Sequence, residues 1–109
     1  MEGGLLVVSV IGELDQSTAP DLREALEPTL AEPAEPLLVD LSDCDFIDST
    51  GLSLLVEAKR RLEEHQLRFG VCCPDADVQR LLEITGIDRA LGLYESRDEA
   101  VSGLVDGLA

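Results

Sequence analysis

The chain has 109 residues, enough for one domain around one continuous core, and its 45% hydrophobic against 28% charged composition excludes the disordered class. Its 23 acidic and 8 basic residues leave a formal net charge of -15, which repels nucleic acid and anionic membrane surfaces. No apolar run approaches the roughly 20 residues that span a bilayer, and no basic segment leads into a signal-like core at the N-terminus, so the expected compartment is the cytoplasm.

In chain order, Leu5 to Ile11 is an apolar run broken only by Ser9 and reads as a strand, turned outward by Gly12-Glu13-Leu14-Asp15. Gly3-Gly4 ahead of it is a hairpin-turn signal without a preceding partner strand. Two alternatives follow: a strand is missing in front of Leu5, or the Leu5 strand is a sheet edge. Ser17 or Thr18 then caps a helix to about Glu32, with Pro20 in the first turn and Leu22, Ala25, Leu26 and Leu30 on its inward stripe. Pro33 and Pro36 end it.

Pro36 to Leu41 is a short apolar run bounded by Ser42-Asp43, a buried strand. A helix follows over about 50–65, where Leu52, Leu55, Val56 and Leu62 recur at three- and four-residue spacing and the stem of Lys59 lies along the same face. Leu67 to Cys73 forms a third strand, on which adjacent Cys72 and Cys73 point to opposite faces as packing residues. A helix over Ala76 to Ile84 stops at Thr85-Gly86, Leu91 to Tyr94 is a short strand, and Ser96-Arg97-Asp98-Glu99 is a capping box opening the last helix. This alternation implies crossover units, a largely parallel sheet and about four helices in an α/β fold.

The stretch Phe46-Ile47-Asp48-Ser49-Thr50-Gly51-Leu52 places two hydroxyls and a carboxylate where a strand hands over to a helix. In parallel sheets, functional turns lie beyond the carboxyl ends of the strands, and this turn does. Ser49 or Thr50 is the natural N-cap, and Asp48 assists the helix dipole. Gly51 costs helix propensity, which points to close approach by a partner or by neighbouring backbone. Ser49, Ser53, Glu57 and Arg60 form an outward polar stripe continuous with the turn.

Enzyme chemistry finds little support. The lone His65 closes the helix that Ser49 opens, about 24 Å away at 1.5 Å per residue, too far for a triad, and it complements the helix C-terminus instead. The acidic pairs Glu13/Asp15 and Asp43/Asp45 lack a histidine or cysteine that would complete a metal site, so no metal or other cofactor is expected there. Cys44, Cys72 and Cys73 form neither an even-numbered framework nor a CxxC pair, and Cys44 reads as a small buried hydrophobe in preference to a reactive thiol.

The turn Gly12 to Asp15, the strand Val39-Asp40-Leu41, the stretch Phe46 to Leu52 and the segment Leu82-Glu83-Ile84-Thr85-Gly86-Ile87, in this order, resemble STAS domains, and among them bacterial anti-sigma factor antagonists. The likeness runs from Leu5 onward, so the expectation is a single STAS-like domain over residues 1–109, in which either the family's usual N-terminal strand is missing or the Leu5 strand is itself the sheet edge. The resemblance implies a non-enzymatic switch: the unphosphorylated protein binds an anti-sigma factor that is also a serine kinase and frees the sigma factor. The kinase then phosphorylates Ser49, binding is switched off, and a metal-dependent serine phosphatase restores the unmodified form. Asp48, Thr50, Gly51, Ser53 and Glu57 are the partner-binding candidates. The same resemblance admits an alternative without a phosphorylation cycle, a scaffold of a sensory assembly or an accessory subunit of a membrane transporter.

Overall fold

The computed structural model describes residues 4–105, and Gly3 of the hairpin signal lies outside them. Among the described residues the chain runs β1 (Leu6–Leu14), α1 (Ala19–Ala31), β2 (Leu37–Ile47), α2 (Ser49–Glu63), β3 (Phe69–Cys72), α3 (Ala76–Thr85), α4 (Ile87–Ala90), β4 (Leu93–Tyr94) and α5 (Arg97–Val105). The strands form one parallel sheet in the order β1-β2-β3-β4, so each lies beside its neighbour in sequence and β1 is an edge among the described strands. The expected α/β alternation is present, with α4 as a single extra turn between Gly86 and the last strand.

Side chains alternate across the sheet with the two-residue period of a strand. Leu37, Val39 and Leu41 of β2 and Phe69 and Val71 of β3 join the larger core with α1, α2 and α3. Leu38 and Cys72 face the other way, into a smaller core with Leu5 and with Ala100 and Leu104 of α5. The first and last helices therefore cover opposite faces. Gly70 permits this second layer to come close, because a Cβ there would lie 2.8 Å from a Leu104 methyl carbon.

Several boundaries depart from the sequence expectations. Gly12-Glu13-Leu14 does not turn outward; it continues β1, whose register on β2 shifts between Ser9 and Ile11 and again between Gly12 and Glu13. The positive φ of Gly12, 85°, is the conformation such a bulge asks of glycine. β2 likewise runs past Ser42-Asp43 to Ile47, since parallel pairing with the bulged β1 supplies partners for its polar half. β3 is shorter than expected, ending at Cys72, and Cys73 takes a left-handed φ of 63°. That backbone change brings the Cys73 sulfur to the same side as the Cys72 sulfur, so the two do not point to opposite faces.

Helix faces are also redrawn. In α1, Ala19, Leu22, Leu26 and Leu30 are buried but Ala25 is exposed; in α2, Gly51, Leu54 and Ala58 join Leu52, Leu55 and Leu62, while Val56 is 38% exposed. Thr18 precedes α1 without capping it: its Oγ1 donates to the Glu13 carbonyl and accepts the Asp15 amide, and the Asp15 carboxylate takes the Ser17 and Thr18 amides. At three other helix ends the expectations hold. Gly86 closes α3 in a left-handed conformation, Ser96 accepts the Glu99 amide at the start of α5, and His65 bonds the Arg61 carbonyl after α2.

Candidate docking site at the start of α2

β2 ends at Ile47 and α2 begins at Ser49, which leaves Asp48 as the single residue between them. Its extended backbone (φ -105°, ψ -175°) lets the carboxylate fold back over the first turn of the helix. Oδ1 accepts the Gly51 amide at 3.1 Å, and Oδ2 accepts the Gln16 amide from the β1–α1 loop at 3.0 Å. The Asp48 amide donates to the Leu14 carbonyl at 3.1 Å. The cap is thus Asp48, contrary to the expectation of Ser49 or Thr50, because the helical backbone already begins at Ser49 and the Asp48 carboxylate takes the Gly51 amide of the first turn.

This reassignment frees the serine. Ser49 is the first helical residue, exposed, and its hydroxyl makes no hydrogen bond among the described residues; Thr50 beside it is exposed as well. First-turn amides have no partner within the helix, and the dipole gives this end partial positive charge. Gly51 is buried: a Cβ there would sit 2.7 Å from the Leu14 carbonyl oxygen and 2.8 Å from Leu14 Cγ. Glycine is what allows α2 to start tight against the end of β1.

Along α2 the face that begins at Ser49 lines an open groove of about 490 Å³, with Leu52, Ser53, Val56, Glu57 and Arg60 on one side and Thr85 and Ile87 on the other. The expected polar stripe is therefore one wall of a groove with an apolar floor. Glu57 is also tied sideways, its two carboxylate oxygens 2.6 and 3.3 Å from the Arg23 guanidinium of α1. The hydrogen bond from Arg23, with its charge, holds the Glu57 carboxyl below the usual carboxylate range. Beyond Asp48 lies a second hollow lined by Asp15, Gln16, Ser17, Phe46 and Asp48, where the Phe46 ring is 49% exposed. The Ser17 hydroxyl and the Thr18 amide keep the Asp15 carboxyl below its ordinary value.

Asp48, Ser49, Thr50, Ser53 and Glu57 are thus gathered on one surface, with Gly51 beneath it. Arg23, Gln16, Phe46, Thr85 and Ile87 were missed. Arg23, Gln16, Thr85 and Ile87 come from other elements and only tertiary packing brings them beside α2, whereas Phe46 lies just ahead of it in the chain. Val56 carried a signal that was misread, since its four-residue spacing from Leu52 drifts to the edge of the apolar stripe in a 3.6-residue helix.

A family model described as the STAS domain matches residues 2–100. The anti-sigma-F factor antagonist RsfB of Mycobacterium tuberculosis H37Rv is 30% identical over 104 residues, covering 95% of this chain and 84% of that protein. The anti-sigma-B factor antagonist of Listeria monocytogenes is 36% identical over 80 residues, 73% of this chain and 70% of its own. The crystal structure of an anti-sigma factor antagonist from Mycobacterium paratuberculosis superposes with a TM-score of 0.84 at 35% identity, covering 93% of this chain and 86% of that one.

Proposed function

The chain belongs to the STAS domain family, and from that premise we propose that it is an anti-sigma factor antagonist whose binding is switched by phosphorylation of Ser49. It works in the cytoplasm by binding, without catalysis of its own. The unmodified protein docks the start of α2 and the groove behind it onto an anti-sigma factor that is also a serine kinase, and the sigma factor is released.

One observation carries this reading. With Asp48 as the cap, the Ser49 hydroxyl is left exposed, and unbonded among the described residues, at the mouth of an apolar-floored groove. The kinase transfers the γ-phosphoryl group of ATP to Ser49 Oγ; the hydroxyl proton leaves and ADP is the second product. The phosphate adds about -1.5 to -2 charges at pH 7, which the helix dipole and first-turn amides tolerate within the free protein. Docking would desolvate that charge beside the Asp48 carboxylate, so the complex weakens while the fold persists. A metal-dependent serine phosphatase hydrolyses the ester and returns the hydroxyl. Asp48, Thr50, Ser53 and Glu57 form the contact surface around the switch, and Gly51 sets its height against β1.

Incubating the protein with its cognate anti-sigma kinase and ATP, followed by phosphosite mapping by mass spectrometry, tests the assignment. A single phosphate on Ser49 is expected. Modification confined to Thr50 or Ser53, or none under conditions where the kinase is active, contradicts it.

A further inference from the structure

On the sheet face away from α2, Asp40 of β2 pairs in register with Cys72 of β3, and Cys73 follows at the left-handed turn out of the strand. One carboxylate oxygen of Asp40 and the two sulfurs all lie within 4.8 Å of one another. We propose that Asp40, Cys72 and Cys73 form a binding site for a thiophilic divalent cation such as Zn²⁺ or Cd²⁺. The α2 groove plays no part in this site.

Two thiolates on a tetrahedral zinc ion at about 2.3 Å each stand about 3.8 Å apart, so the spacing here closes with small side-chain rotations. Donor chemistry agrees, since two sulfurs and a carboxylate are a ligand set for a soft or borderline cation and leave a fourth position for water. The surroundings are built for charge. Asp40 is only 4% exposed, Oδ1 accepts the Ser42 amide and hydroxyl at 2.8 and 2.7 Å, and Oδ2 faces Arg97 Nη1 of α5 at 3.3 Å. Cys72 is fully buried, whereas half-buried Cys73 provides the way in.

Charge bookkeeping favours the ion. Without it, the Asp40 carboxylate and the Arg97 guanidinium cancel beside two neutral thiols. On binding, M²⁺ replaces the two thiol protons, which leave to solvent, and two M–S bonds form; dication, two thiolates, carboxylate and guanidinium again sum to zero. No uncompensated charge is buried in either state. A coordinating cation deprotonates a thiol directly, so burial of Cys72 does not bar coordination. On a regular strand the two adjacent sulfurs would point to opposite faces, and the left-handed backbone at Cys73 brings them together instead.

The test is a Cd²⁺ titration of the reduced full chain, read by the ultraviolet thiolate-to-metal charge-transfer band and by proton release, with Zn²⁺ as competitor. One Cd²⁺ and two released protons per chain are expected, with a raised melting temperature. Cys73→Ser, at a half-buried position, should stay folded by circular dichroism and lose the band; Cys73→Ala is the second variant, and Cys44→Ser should keep it. No saturable band in the wild-type chain, an undiminished band in either Cys73 variant, or a band that vanishes with Cys44 overturns the site.

Discussion

Both oxygens of the Asp48 carboxylate are committed, one to the amide that starts α2 and the other to the loop after β1, while the Ser49 hydroxyl is committed to nothing among the described residues. The two side chains therefore separate by experiment. Ser49→Ala should change stability by no more than about 0.5 kcal/mol, as for an exposed residue without a partner. Asp48→Ala should cost about 0.5 to 2 kcal/mol, the range for a lost N-cap. Urea denaturation of both variants decides the assignment, and a larger loss for Ser49→Ala than for Asp48→Ala would return the cap to the serine. The sequence alone sets the cap at Ser49 or Thr50, too late in the chain, because aspartate, serine and threonine all cap and their order does not say where the helical backbone begins.

At the scale of elements, the contact between the first turn of α2 and the end of β1 depends on the missing side chain of Gly51. Gly51→Ala puts a methyl group 2.7 Å from the rigid Leu14 carbonyl, so the helix start must shift. A destabilisation of about 1 to 3 kcal/mol is expected, with displaced amide resonances for Gln16 and Leu14. Unchanged stability and shifts would mean that the two elements are not held this tightly. β1 pairs only with β2 among the described strands, whereas β2 is paired on both sides, so amides of Val7 and Val8 should exchange faster than those of Leu38 and Val39. Equally slow exchange would indicate a cover on the β1 edge. The alternation of strands and helices was legible because apolar periodicity carries it. The lengths of β1 and β2 were not, since Gly12, Ser42 and Asp43 read as turn formers and only the bulged pairing between the strands retains them. Nor could the groove be read, because Thr85 and Ile87 reach α2 through the packing of α3 and α4.

For the molecule as a whole, titration and charge set the conditions under which it folds and binds. Burial opposes the Asp40 carboxylate, yet its bonds to Ser42 and the nearby Arg97 outweigh this and lower its pKa below 3.8. Its contribution to stability is therefore full above that value and lost as pH falls through the lower folded one. Burial raises the Cys44 and Cys72 thiols above 9.0, so they stay protonated in the fold, and their contribution is full below that value and lost as pH rises past it. A stability plateau between about pH 4 and pH 9 is expected in denaturant midpoints, with the alkaline fall reduced in Cys44→Ala; a fall unaffected by that change would place its origin elsewhere. The net charge of -15 adds a second constraint, since a Ser49 phosphate makes an already anionic surface more so at the point of docking. Charge, and not unfolding, is thus the lever of the proposed switch. The most direct test compares the affinity of the anti-sigma partner for the unmodified chain and for the chain phosphorylated on Ser49, with circular dichroism of both. The account predicts an affinity loss of at least about tenfold, some 1.4 kcal/mol, with superimposable spectra. Equal affinity of the two forms, or loss accompanied by unfolding, would contradict it.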